Sequence, residues 1–339
     1  MPTGTIGALA KRINPFSRQS SFEARSLLAL LGIVALAGIT SPTTFGGANI
    51  FFQVGNLTDV LRQISLIGII ALSMTFVILT AGIDLSVGSL LAFSSAITAM
   101  SLTRHWSSTS IHTHLFLAIT TALVLTTLLG TLNGLVIAKL RVQPFIVTLA
   151  SMIGVRGLAK WSTNNENVDL GFGTDAASRF AAIFRLKAVV ISSYGVLAVI
   201  LGVVLARTVF GRYVRAIGDN EKAALYTGLP IQTVKIWVYA LAGLLSGYAG
   251  VLYAAANHQG NPNAGNAYEL DAIAAVVIGG TPLAGGRGSI IGTVFGTLIM
   301  GVLTNMLRLN NVDSNSEMMI KAVIIVLAVV IQRERKLAY

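Results

Sequence analysis

Long stretches without a formal charge constrain this chain more than any motif does. No Asp, Glu, Lys or Arg occurs in residues 26–58, 63–83, 85–103, 105–138, 188–206, 236–268 or 288–307. A helix that crosses a bilayer needs about 20 mostly apolar residues, and these intervals supply them repeatedly. Charged residues make up 11% of the chain against 54% hydrophobic, and the mean hydropathy is +0.76. Soluble domains carry about 25% charged residues, and no soluble core hides this much apolar surface. The expected fold is an all-α polytopic membrane protein.

Helices are expected over residues 26–41, 61–80, 85–102, 115–138, 144–161, 187–208, 235–256, 269–283, 288–308 and 317–332, which makes about ten transmembrane helices. Of these, 269–283 and 317–332 are short or charge-bearing. Lys and Arg gather on the cytoplasmic side of a membrane protein. Lys11, Arg12, Arg18 and Arg25 therefore place the N-terminus in the cytoplasm, and Arg333, Arg335 and Lys336 place the C-terminus there too. Basic stretches 138–143 and 207–222 face in as well, whereas 257–268, which lacks Lys and Arg, faces out. Parity puts 162–186 outside despite Arg179 and Arg185. The expected organisation is a cytoplasmic N-terminal arm over 1–25, a transmembrane domain over 26–333 with a cytoplasmic loop at 211–235, and a cytoplasmic tail over 334–339.

The net charge of +11 would suggest nucleic acid in a soluble protein. Here the basic residues sit at span ends and in the termini, where topology and anionic headgroups account for them. Lipid is the expected partner and nucleic acid is not. The absence of cysteine excludes disulfides and thiol chemistry. His105, His112, His114 and His258 fall in or beside outer loops and read as ordinary solvated histidines rather than metal ligands. A phosphate-binding P-loop needs a Gly-Lys step, and the chain contains none. H-E-x-x-H and G-x-S-x-G are missing too. No cofactor, metal or catalytic residue is expected, so transport across the membrane would draw its energy from a partner or an ion gradient.

Between Arg62 and Arg104 the one charge is Asp84, in "ILTAGIDLSVGS" (78–89). Its plain role is to cap the helix that follows, from Leu85, with Gly82 allowing a tight turn. Its functional role would be at a broken helix whose polar end lines a path, because non-helical backbone at membrane depth survives only inside protein or beside water. Both hold if the capped end is also a gate, with Gly82, Asp84, Ser86 and Gly88 as its residues. Thr80, Asn133, Thr148 and Asn257 are candidate weakly polar contacts along the path, each with own-helix hydrogen bonding as its plainer use. The glycine-rich stretch 276–293 reads as a flexible cytoplasmic turn. Gly243, Gly247, Gly250, Gly292 and Gly296 read as packing positions within the subunit.

The loop "GRYVRAIGDNEKAALYTGLPIQTVK" (211–235) has helix grammar of its own. Asp219 or Asn220 can cap, Glu221 sits in the first turn, and Gly228 with Pro230 stops the helix. So short a helix is unstable alone. It must rest on headgroups or on the chain's own spans, or dock into a partner.

Together with "ILTAGIDLSVGSLLAF", "KLRVQPFIVTLASMIGVRGLAK" and "YELDAIAAVVIGGTPLAGGRGSIIGT", this loop resembles the binding-protein-dependent sugar ABC transporter permeases of the ribose/xylose/arabinose type, and within them the ribose permeases. The resemblance runs from about residue 27 to 332. It implies that Arg215, Gly218, Asn220, Glu221, Ala224 and Gly228 form a docking segment for a separate cytoplasmic ABC ATPase. It implies that Gly82, Asp84, Ser86 and Gly88 lie near the inner end of the translocation path, and that Tyr268, Glu269 and Asp271 begin a span at the periplasmic side. A periplasmic or extracellular sugar-binding protein, a second permease copy (homo- or heterodimeric) and location in the cell inner membrane follow from the same resemblance. The cargo would be a monosaccharide, a pentose such as ribose. A stand-alone secondary carrier or channel, and a permease for branched-chain amino acids, are the alternatives.

Overall fold

The computed structural model describes residues 15–103, 111–173 and 175–332. Lys11, Arg12, His105, Arg333, Arg335, Lys336 and the tail 334–339 lie outside the described residues. The chain is helical nearly throughout: α1 (Pro15–Thr40), α2 (Val54–Leu79), α3 (Val87–Thr103), α4 (Ile111–Lys139), α5 (Pro144–Ser162), α6 (Ala176–Phe184), α7 (Lys187–Arg207), α8 (Val209–Asp219), α9 (Glu221–Tyr226), α10 (Ile231–Asn257), α11 (Tyr268–Ile278), α12 (Ile290–Leu309) and α13 (Ser314–Gln332). Two short strands, β1 (Val168–Asp169) and β2 (Gln259–Gly260), pair antiparallel with Val168 opposite Gly260. Among the described residues, six helices are long and apolar enough to cross a membrane, namely α1 from Glu23 onward, α2, α4, α7, α10 and α12.

Each expected helix has a counterpart, with corrections at several ends; the helix expected from 61 begins at Val54. The first begins at Pro15, not at 26, so the basic arm is partly helical. Proline is pre-set for the first helical position, and no breaker intervenes before Ser41-Pro42. The helix after Asp84 begins at Val87 rather than Leu85, and α11 stops at Ile278 rather than 283, where Gly279 and Gly280 interrupt it. Segment 162–186, read as a loop, contains β1 and α6. Asp175 caps α6 by accepting from the Ser178 amide at 3.0 Å. Phe180 and Ala177 bury against α10 at Val251, Ala254 and Ala255, which ties this segment to the chain around His258. Arg185 donates to His258 Nε2 at 3.2 Å, and the Phe172 and His258 rings stack 4.6 Å apart.

The bundle is built around α2, whose residues from Gly68 to Leu79 are all buried. A helix apolar all round is a core helix, and α7, α8, α10, α11 and α12 pack around it. Helices α4 and α10 meet along small residues: Gly130 lies against Gly243, and Gly243 and Gly247 against Thr126. In lipid, where apolar side chains gain little by leaving their neighbours, close backbone approach of this kind holds helices together. Gly250 packs on Leu91 and Ser94, and Gly292 and Gly296 pack on Gly279 and Ala275, so the expected intramolecular use of these glycines is the one observed.

The segment between β2 and α11 corrects the simple loop topology. Gly260 lies against Ser95, Ala96 and Ala99 of α3, and Ser95 Oγ sits 3.3 Å from both the amide and the carbonyl of Asn261. Five residues on, Gly265 is against Gly88, in the first turn of α3. The chain thus runs alongside α3 toward its N-terminus before α11 starts. Residues 80–88 and 257–268, expected at opposite membrane faces, are in contact through Gly88 and Gly265, which two loops on opposite faces would not allow. Glycine at both 88 and 265 makes the approach possible, since a Cβ at either position would strike the backbone of the other.

Candidate functional site

The break between α2 and α3 is held by a compact polar cluster. Asp84, fully buried, accepts from the Ser86 amide at 2.9 Å and from Ser86 Oγ at 2.6 Å. Asn133 of α4 donates to Ser86 Oγ at 3.1 Å. The Thr148 hydroxyl of α5 is shared between the Pro144 carbonyl of its own helix at 3.0 Å and the Ile83 carbonyl at 3.2 Å. Two helices, α4 and α5, therefore brace the non-helical backbone of the break. Asp84 Oδ2 has no hydrogen-bond partner among the described residues, and neither does the buried Tyr239 Oη. Gly82 faces that hydroxyl, which a Cβ at 82 would meet at 2.5 Å.

Of the expected path residues, the structure brings Gly82, Asp84, Ser86, Asn133 and Thr148 together and places Gly88 at the contact with Gly265. Thr80 donates to the Val77 carbonyl at 2.8 Å, and Asn257 to the Tyr253 carbonyl at 2.9 Å. These two make the own-helix bonds that are their plainer use, and Asn257 lies exposed at the far end of α10. Asp84 braces the residue before the helix rather than capping its first-turn amides. The physical reason is the later start of α3, which leaves Ser86 as the flanking residue.

Arg156 and Tyr239 were not among the expected residues. Arg156 of α5 donates to the Pro262 carbonyl at 3.0 Å and also to that of Ala264, with the Glu269 carboxylate close enough to act on it electrostatically. Helix α5 thus touches the α2–α3 break through Thr148 and the segment before α11 through Arg156. The available signal was a lone arginine inside an expected span, which marks a functional or structural anchor by default. Tyr239 carried none, being one aromatic in an apolar helix.

The 211–235 region folds as two short helices. Thr208 caps α8 by accepting from the Gly211 amide at 3.2 Å. Asn220 caps α9 by accepting from the Ala223 amide at 3.0 Å, and Gly228 ends it at φ +77°, as its grammar predicts. Glu221 pairs with Lys235 of α10 at 2.7 Å. Asn220, Glu221 and Gly228 are exposed, but Ala224 is buried. Ala224 therefore anchors the knob to its own bundle, while Leu225 at 60% and Tyr226 at 88% exposure form the apolar tip. Burial lowers the basicity of the Arg215 guanidinium, and the charge of Glu23 works against that shift.

Gly218 joins the knob to the α2–α3 break. A Cβ on it would collide with the Leu79 carbonyl and the Gly286 amide, and Gly286 itself donates to that carbonyl at 3.0 Å. The glycine-rich stretch folds as a tight connection, with Gly280, Gly285 and Gly286 at positive φ, and Gly285 and Gly286 wedge it between Ala81 and Asp219.

The ribose import permease protein of Escherichia coli (strain K12) is 41% identical to the chain over 95% of the chain and 97% of that protein. The ribose import permease protein of Bacillus subtilis (strain 168) is 43% identical over 91% of the chain and 92% of that protein. The L-arabinose ABC transporter permease protein of Azospirillum brasilense is 36% identical over 84% of the chain and 82% of that protein. No solved structure matches the chain. Residues 56–329 match the family described as the branched-chain amino acid transport system permease component, and the chain belongs to that family of multi-pass membrane permeases.

Proposed function

We propose that the chain is the permease subunit of an ATP-binding-cassette importer for a monosaccharide, with ribose as its cargo. The observation that carries the reading is 41% identity over 95% of the chain to a ribose import permease, joined by similarity to an L-arabinose ABC transporter permease. In this reading the chain lies in the cell inner membrane with about ten crossings and both termini cytoplasmic. The segment around Arg215, Gly218, Asn220, Glu221, Ala224 and Gly228 couples to a separate ATPase, whose contacts fall on Leu225 and Tyr226 at the exposed tip. A sugar-binding protein delivers cargo at the opposite face. The exposed apolar side of α5, with Ile146, Ile153 and Trp161, faces a second copy. The Asp84–Ser86–Asn133 cluster braces the inner end of the path, with Gly82 and Gly88.

Coupling requires that ATP favours one arrangement of the bundle over another through contacts that differ between them. The knob touches the α2–α3 break through Gly218, Leu79 and Gly286, which supplies a short mechanical route. The family description raises a second reading, branched-chain amino acid uptake, but the named relatives above carry sugars. Proteoliposomes holding the permease with its ATPase and binding protein separate the readings. ATP-dependent accumulation of radiolabelled ribose, not of leucine, is expected. Uptake that needs only an ion gradient, without the ATPase, would make the chain a secondary carrier.

A further inference from the structure

A partly enclosed cavity of about 130 Å³ lies among α2, α11, α12 and α13 and shares no lining residue with the Asp84 cluster. Gln63, Tyr268, Asp271, Arg308 and Lys321 reach it from four helices, with Ala275 and Met300 as apolar floor. These are polar groups in segments that are otherwise nearly free of charge, and such groups inside a membrane bundle mark functional sites. Their charges are arranged in pairs. Lys321 Nζ is 2.8 Å from Glu317 and Arg308 Nε is 3.2 Å from Glu317. The Asp271 carboxylate, 3.8 Å from Lys321, is beyond hydrogen-bond reach. Two cations and two carboxylates leave no net field for an ion. They leave Asp271 as an acceptor, Lys321 with donor capacity and Tyr268 with a hydroxyl and a ring face.

We infer that this cavity holds one neutral monosaccharide-sized polyol during passage. A closed cavity of about 150 Å³ accepts benzene, so this smaller one, open on one side, seats one sugar ring with part of it in the mouth. Alternating donors and acceptors suit vicinal hydroxyls, and a shallow, partly open site releases what it binds, as a conduit must. The inference rests on the sugar-import reading.

The test uses the full-length permease in lipid nanodiscs, without ATPase or binding protein, and saturation-transfer NMR with ribose as the probe. A ribose signal is expected, with none for sucrose. Asp271→Asn combined with Lys321→Gln, which removes one charge of each sign, should cut the signal at least fivefold, and Gln63→Leu at least twofold. Monodisperse elution of each variant checks folding. The complete importer is assayed for ribose uptake in parallel. If it accumulates ribose while the nanodisc signal is absent, or is undiminished in the variants, the cavity assignment is wrong and the import reading stands. If the complete importer moves no monosaccharide, both fall.

Discussion

The amide of Gly286 donates to the carbonyl of Leu79 at 3.0 Å, so the glycine-rich connection before α12 is fastened to the last turn of α2. Gly218 presses on the same carbonyl. A displacement of α8 therefore reaches the chain that enters the Asp84 break within one contact. Gly218→Val should separate these surfaces. Overpacking of this kind costs about 1–3 kcal/mol, which a bundle this size withstands. In proteoliposomes, ATP hydrolysis by the partner subunit should persist while ribose uptake per ATP falls tenfold or more. Uptake and hydrolysis that fall together would show loss of assembly instead.

The knob itself makes a second prediction. Gly228 sits at φ +77°, a conformation that costs an L-residue about 1–2 kcal/mol, and loss of an Asn cap costs about 1 kcal/mol. Gly228→Val and Asn220→Ala should each loosen α9 without disturbing the bundle, raising amide hydrogen exchange over 221–229 only. Tyr226→Ala, at the exposed tip, should leave exchange unchanged yet weaken co-purification of the ATPase. Undiminished transport in Glu221, Gly228 and Tyr226 variants alike would remove the docking role.

A third concerns Asp84. One carboxylate oxygen is satisfied by Ser86 and the other has no partner among the described residues. Asp84→Asn keeps the acceptor and removes a buried charge, whose desolvation is costly. Thermal stability in detergent should be equal or higher. Asp84→Ala and Ser86→Ala strand the remaining partners, and each buried unsatisfied group costs about 1–3 kcal/mol, so both should unfold at lower temperature. Ser86→Thr, which keeps the hydroxyl, should not.

What the amino-acid pattern revealed follows from what it encodes locally. Helix positions emerge because charge-free runs and breakers such as Ser41-Pro42 act on neighbouring residues, although the stop at Gly279-Gly280 is not read from them. The α9 caps emerge for the same reason, since Asn220 and Gly228 work within one turn. Asp84 stands out because a lone carboxylate in an apolar stretch is costly wherever it lies. The side chains that brace the break beside it, Asn133 at Ser86 and Thr148 at Ile83, stand in the sequence only as candidates among other polar residues, because long-range pairing leaves no local mark. Thr80 and Asn257 have the same composition and bond to their own helices. The contact of Gly88 with Gly265 was hidden entirely. A loop without Lys or Arg looks the same whether it faces solvent or runs into a bundle, and only tertiary packing distinguishes the two.

The absence of native cysteine makes that run alongside α3 directly testable. Ser95 Oγ lies 3.3 Å from the Asn261 backbone, which brings the two residues within the span a disulfide can bridge. Ser95→Cys with Asn261→Cys should crosslink on mild oxidation in membranes, read as a shift in mobility after cleavage of a protease site engineered at residue 172. A loop lying wholly outside the bundle would put residue 261 beyond reach of the middle of α3, and no crosslink would form. The same pair tests motion. If the segment before α11 shifts against α3 during the cycle, the oxidised protein should lose ATP-driven ribose uptake and regain it on reduction. If it is fixed scaffold, the crosslink should form and uptake should be unchanged.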